Sequence, residues 1–324
     1  MIVTITLNAA LHVAYTTGEA AIEGITPISR PAYRAGGRGV TVARVLRAFG
    51  HDVLAAGLAG GASGELIVQD LAKSGVPTAF TLIRGESRRF FRFADPDLVN
   101  TALRFSEPGP YITTEELGRF AADYRRLMAG AAAVVLCGSL PDGLPADTYG
   151  SLVTYAAEAG VPVILDAGGE ELKHAIGHRP DLVVAESSTG EPGEAPDTRA
   201  LGADLIRLGA GAAAVAVGAQ VHVVTADGEW TARLEDAGVD WPVPSGPPAR
   251  GALVAGLVPG QLLGWSWPDR LRHALALALA ADGLEETGER SAAPTTISTS
   301  AVRDHVDLAA YERLLDAVTV ERSP

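Results

Sequence analysis

A chain of 324 residues, nearly half of them apolar, is long enough to bury one large core, and no run approaches the roughly 18 uninterrupted apolar residues that a membrane helix needs. A formal net charge of −13 argues against nucleic acid as a partner, and the absence of a basic leader or cleavage site in Met1 to Asn8 argues for a cytoplasmic location. The lone Cys137 excludes an internal disulfide and any cysteine-based metal cluster, and with only Lys73 and Lys173 as lysines, arginine is the default cation.

Ile2 to Asn8 alternates and is rich in β-branched residues, which predicts a strand ending in a polar turn. Ala14 to Arg34 is broken by Gly18, Gly24, Pro27 and Pro31 and reads as short strands of an appended sheet. Ala35 to Leu46 is a glycine turn running into an amphipathic helix that stops at Gly50. His51 to Gly57 is the next strand, and Gly60 to Gly64 leads a helix through Ser74. Thr78 to Ile83 and Arg89 to Phe93 read as two antiparallel strands joined by Arg84 to Arg88. Thr113 is a side-chain cap for a helix reaching Met128.

The rhythm then becomes strand, loop, helix. Strands are expected at Ala132 to Cys137, Val161 to Asp166 and Asp181 to Ala185, with helices at Asp147 to Ala159 and Glu170 to Ile176 between them. Helix Ala200 to Leu208 leads to strands at Ala213 to Val217, Val221 to Thr225 and Trp230 to Leu234. A loop bearing Pro247 and Pro248 feeds a buried helix. Thr287 to Ser298 is polar and loop-like, and Ala301 to Val320 carries a last helix with room for an edge strand. Such alternation predicts a largely parallel sheet with helices on both faces, and ligands bind at the carboxyl ends of such strands. Asn8, Gly138, Ser139, Asp166, Glu186 and Gly218 all fall just past expected strands, on one rim.

Several motifs carry a family likeness. Asn8-Ala9-Ala10-Leu11-His12 stands where Asn-Pro-Ala-Leu-Asp would, and Ala35 to Arg44 stands for Ala-Gly-Gly-Lys-Gly-Ile-Asn-Val-Ala-Arg. Glu86-Ser87-Arg88 matches Glu-Thr-Arg, and Glu107-Pro108-Gly109-Pro110 and Gly138-Ser139-Leu140-Pro141 match without change. In this order they resemble the PfkB branch of the ribokinase-like sugar kinases, nearest the 1-phosphofructokinase and tagatose-6-phosphate kinase group. The resemblance implies a single three-layer αβα sandwich over residues 1–324 with a mostly parallel sheet. It adds a small β-sheet lid from about 14–34 and 78–93, through which such proteins pair into homodimers.

The departures are concentrated at the chemical end. The family's Gly-Ala-Gly-Asp, counted back from Ala255-Gly256, reads Pro248-Ala249-Arg250-Gly251, so the position of the general base is a glycine. Pro248 also removes an amide donor from the anion hole formed with Ala249 and Arg250. Lys-Pro-Asn-x-x-Glu reads Val184 to Thr189, which leaves Glu186 and Thr189 in a degenerate magnesium and nucleotide region with Asp166. The Ser-Leu-Gly-x-Asp-Gly near the nucleotide reads Ala216 to Val221 around Gly218. His12 replaces the aspartate that would hold substrate, and Thr41 replaces an asparagine. Phosphoryl transfer is mostly positioning and charge stabilisation, so these losses together imply a pseudokinase that binds a phosphorylated sugar or a protein partner.

What survives lies on the sugar side. His12, Gly36, Gly37, Arg38, Thr41, Arg88 and Ser139 occupy positions that the resemblance assigns to substrate, with the arginines near its phosphate. Arg38 and Arg88 read equally well as solvated helix-start and turn residues. His12 is either a substitute base or a polar filler, and Asp166 either faces phosphate or caps a helix. Arg250 either binds an anion or plugs the old phosphoryl site by pairing with Glu186 or Asp166, and the plug is favoured. No metal and no cofactor are expected. ATP and magnesium enter only under the alternative of an active phosphofructokinase-like kinase using His12, and a non-kinase enzyme acting on a phosphosugar is a third reading.

Overall fold

The computed structural model describes residues 1–16, 30–94, 103–186, 197–234, 247–281 and 308–323. The first part of the chain runs β1 (Ile2–Thr6), β2 (Ala10–Thr16), β3 (Ala32–Gly36), α1 (Arg38–Ala48), β4 (Val53–Gly60), α2 (Gly61–Lys73), β5 (Thr78–Ile83), β6 (Arg88–Ala94) and β7 (Leu103–Ser106). The middle holds α3 (Thr114–Met128), β8 (Ala133–Cys137), α4 (Thr148–Glu158), β9 (Val163–Asp166), α5 (Gly169–Ala175), β10 (Leu182–Glu186) and α6 (Thr198–Leu208). The last part holds β11 (Ala212–Val217), β12 (Gln220–Thr225), β13 (Gly228–Leu234), α7 (Pro247–Leu263), α8 (Trp267–Ala281), α9 (Leu308–Ala317) and β14 (Val318–Ser323).

A ten-stranded sheet runs in the order β14-β13-β12-β11-β10-β9-β8-β1-β4-β5. Every neighbouring pair from β11 to β5 is parallel, and an antiparallel meander of β12, β13 and β14 finishes the other edge. The central strands are apolar without alternation because helices cover both faces. On one face Val40, Val42, Leu253, Val254 and Leu275 pack from α1, α7 and α8; on the other Phe120, Tyr124, Leu152 and Val153 pack from α3 and α4. This is the three-layer sandwich. The threonine cap forms as a full capping box: Glu116 N donates to Thr113 Oγ1, and Thr113 N donates to Glu116 Oε2 at 2.9 Å.

A second sheet of four strands runs β3-β2-β6-β7. Its composition corrects the lid boundaries at 78–93. β5 is not the hairpin partner of β6; it lies parallel to β4 at the edge of the large sheet. β4 is buried on both sides and needs a neighbour beyond it, and β5 shows an edge strand's burial, with Thr81 and Ile83 inside and Leu82 out. Between the two strands, Arg84 N donates to Glu116 Oε1 at 2.8 Å and Ser87 N to Gly60 O at 2.9 Å. Those bonds carry the chain from one sheet into the other. Of the 14–34 segment, the ends contribute β2 and β3, while 17–29 lies outside the described residues. So do Trp241, Pro242, the loop entering α7 and the polar segment at 287–298.

Candidate functional site

The carboxyl ends of β1, β8 and β9 meet where the strand order predicts. Asn8 Nδ2 donates to Ser139 Oγ at 3.2 Å, and Gly138 N donates to Asp166 O at 3.1 Å. Tyr149, wholly buried, donates its hydroxyl to the carbonyls of Cys137 and Gly138 and so fixes the β8 turn. Burial, and then the neighbouring Asp166 charge, pushes the Cys137 thiol well above its usual pKa, which makes it an inert core group.

Asp166 is the centre of the rim. Its side chain is 0% exposed, and its Oδ1 receives two guanidinium groups: Arg38 Nη1 at 3.1 Å and Arg250 Nε at 2.7 Å. Arg250 Nη2 also donates to Val184 O at 3.1 Å. Asp166 Oδ2 has no partner among the described residues. Arg38 opens α1, Arg250 lies in the first turn of α7, and Asp166 ends β9, so one carboxylate ties two helices to the sheet. Asp166 makes no cap to the following helix, and Arg250 pairs with it, which is the plug arrangement of the two weighed for that arginine. Arg38 likewise points at Asp166 and is not a solvated surface residue.

α7 begins at Pro247, so the two prolines expected in the loop stand in its first turn, which suits proline at a first helical position. Ala249 is buried behind Arg250, and Gly251 follows. The side chains of Pro248 and Glu186 and all of Thr189 lie outside the described residues. Gly218, at φ 54°, forms the tight turn between β11 and β12, where Val217 faces Gln220. That left-handed conformation is why glycine stands there.

The other end of the cleft is built from the small sheet. His12 on β2 lies opposite Arg34 on β3 and Phe90 on β6, and its ring makes a tilted contact with Phe90 at 5.1 Å. A Cβ on Gly36 would fall 2.1 Å from His12 Nε2, so Gly36 is what admits the imidazole. Burial first, then the charges of Arg88, Arg44 and Arg34, push the His12 pKa down to about 4. The ring is therefore neutral at pH 7, and an imidazole this weakly basic is a poor general base.

Arg88 is half-buried, and its partners are neutral: Nε donates to Asn8 O and Nη1 to Ser106 Oγ, both at 3.2 Å. Among the described residues no carboxylate pairs with it, and burial pulls its pKa down. The two residues before it are anchors. Glu86 accepts from Ser63 N at 2.6 Å and Ala62 N at 3.2 Å at the start of α2, and Ser87 Oγ accepts from Gly60 N at 3.0 Å. Glu86-Ser87-Arg88 thus spends two residues to aim the third.

Thr41 is engaged by its own helix and by α7. Its hydroxyl donates to Gly37 O at 3.4 Å, one turn back, and its methyl faces Gly251. Several contributors escape a reading of the sequence. Arg44 Nη1 donates to Ala35 O at 2.9 Å, Asp70 Oδ2 accepts from Ala35 N at 2.7 Å, and Arg44 and Asp70 pair with each other. This clamp sets the backbone entering Gly36 and Gly37. Asp70 lies on a different helix from Arg44, and nothing in local spacing links them. Phe90 and Ser106 are equally silent in sequence, as is the bond from Arg88 to Asn8 O, since only the register of the two sheets brings these groups together. Among the described residues no group of three or more His, Cys, Asp or Glu is placed to hold a metal ion. No helix among them is long and apolar enough to cross a membrane.

Comparison with known proteins is consistent with this geometry. The model of the pfkB family carbohydrate kinases matches residues 9–191, more than half of the chain. A tagatose-6-phosphate kinase of Staphylococcus epidermidis is 34% identical over 176 residues, which is 54% of this chain and 56% of that relative. The alignment thus spans little more than half the length of that curated relative. Among solved structures, a possible 1-phosphofructokinase from Thermotoga maritima superposes with a TM-score of 0.80 at 24% identity, covering 100% of this chain and 99% of the other. Escherichia coli phosphofructokinase-2 in complex with fructose-6-phosphate superposes with a TM-score of 0.75 at 24% identity, covering 86% and 93%.

Proposed function

We propose, for a chain that belongs to the pfkB family of carbohydrate kinases, a protein that binds a phosphorylated sugar and does not transfer phosphate to it. The observation that carries this reading is Arg250 Nε on Asp166 Oδ1 at 2.7 Å, with Gly251 next in the chain. The helix start that a transferring phosphoryl group would need is filled by a guanidinium, and the following position offers no proton acceptor. Mg-ATP does not suit these residues either. The carboxylate nearest to hand, Asp166, is enclosed by two cations, and a third beside it meets repulsion from both. His12 supplies no substitute, being neutral and pressed between Gly36 and Phe90.

The sugar side supports binding. Arg88 is a half-buried cation to which no carboxylate among the described residues is paired, a state that costs free energy and that a phosphate dianion would relieve through charge-assisted hydrogen bonds. The ligand class is a ketohexose monophosphate, the kind named for the relatives. Calorimetric titration with fructose-1-phosphate, fructose-6-phosphate or tagatose-6-phosphate tests it, each with and without Mg-ATP. The expected result is binding of at least one sugar phosphate and none of ATP; micromolar ATP binding, or transfer of label from ATP to sugar, would overturn it.

The same reading includes a homodimer through the small sheet. Tyr33, Val13, Phe91 and Phe105 lie in one cross-strand row, and Tyr33, Leu103 and Phe105 are 47%, 64% and 54% exposed. The centre of that row is closed, with Val13 3% exposed and Phe91 packed on the main core, and the exposed apolar side chains at its two edges favour pairing. Light scattering should give twice the chain mass, and Phe105→Glu should give the monomer; a wild-type monomer would count against this surface.

A further inference from the structure

Gly251 carries more than the loss of a carboxylate. A Cβ placed on it would fall 2.7 Å from Thr41 Cγ2 and 2.8 Å from Thr41 Cβ, with Arg38 O at 3.5 Å. Real Cβ atoms do not approach other atoms that closely. The obstacle is the branched root of a helical threonine, with no flexible end to swing away. Thr41 is half-buried on α1 where it faces α7, and its hydroxyl is bonded back to Gly37 O at 3.4 Å, which holds the methyl toward Gly251. α1 and α7 are also drawn together by Arg38 and Arg250 on the same Asp166 oxygen.

We infer that Thr41 is a steric gate on position 251: its Cβ and methyl together occupy the room that any side chain there would need, so the catalytic end is closed by packing as well as by the ion pair. The inference rests on the reading that phosphoryl transfer is lost, and it adds a dependence. No side chain can return to position 251 until position 41 has changed. A single Gly251→Asp substitution is therefore an overpacking lesion, not a repair.

The sign of the effect makes this testable. In a helix interior, alanine is intrinsically favoured over glycine, so Gly251→Ala would ordinarily raise the melting temperature. Here it is expected to lower it by roughly 3–8 °C. Thr41→Gly, which removes both carbons that a Cβ at 251 would meet, should cancel that loss, so that in the Thr41→Gly background Gly251→Ala no longer lowers the melting temperature. Gly251→Asp should be soluble and folded in the Thr41→Gly background and poorly so in the parent. A Gly251→Ala protein as stable as the parent, or a Gly251→Ala penalty that persists undiminished in the Thr41→Gly background, would overturn the gate. That failure is separate from failure of the binding reading, which is decided by titration of the unmodified chain.

Discussion

Asp166→Ala should destabilise the protein by about 3–5 kcal/mol, the cost of stripping the partner from buried charge. In a chain of this size that is a fall of roughly 10 °C in melting temperature. Asp166 is wholly enclosed and answers two guanidinium groups with one oxygen, so removing it strips the same carboxylate from Arg38 and Arg250 together. Removing Arg250 orphans less, because Arg38 still neutralises the carboxylate. The expected order in urea denaturation is therefore Asp166→Ala well below Arg250→Met, with Arg250→Met below the parent. Replacing all three by apolar residues of similar volume should recover much of the loss, since buried ion pairs contribute little over a packed apolar core. An Asp166→Ala protein within about 1 kcal/mol of the parent would show that the cluster is solvated and the phosphoryl end open.

The second large effect is expected at the other end of the cleft and has the opposite signature. Arg88→Met should weaken sugar-phosphate binding about 10²–10³-fold, the range for losing one partner of a desolvated charge pair. Its melting temperature should stay level or rise. Among the described residues the parent arginine is half-buried against the neutral Asn8 O and Ser106 Oγ and no carboxylate, so folding carries a charge that methionine does not. Calorimetry and thermal denaturation of the same sample read both quantities. Loss of binding together with loss of stability would make Arg88 a structural residue, and retained binding would move the ligand elsewhere.

The layered fold was legible because parallel strands buried on both faces write continuous apolar runs, and the helices between them write an independent period. The lid was harder. Thr78–Ile83 and Arg88–Ala94 look like a hairpin in sequence, yet their backbones enter different sheets, and the bonds that divide them come from Glu116 and Gly60. At the site, Arg250 and Gly251 could be read from a motif's absence, and the pairing of Arg250 with Asp166 followed from charge. Glu186, weighed as the other partner, has its side chain outside the described residues. The capture of Arg38 by the same carboxylate did not follow, nor did the contact of Thr41 with Gly251. Both depend on how closely α1 and α7 approach, a distance set by core packing and carried by no local pattern.

The single thiol of this chain has a practical meaning. Cys137 ends β8 beside Asp166, is 0% exposed and has a raised pKa, so it is silent toward alkylating and disulfide reagents while the sheet is intact. Its labelling is then a clock for the rare openings that bring the floor of the cleft to solvent. Because there is one cysteine, the clock needs no mutagenesis and has no background from other positions. A ligand that seals the cleft slows it in proportion to its occupancy, which turns the rate of thiol modification into a binding isotherm.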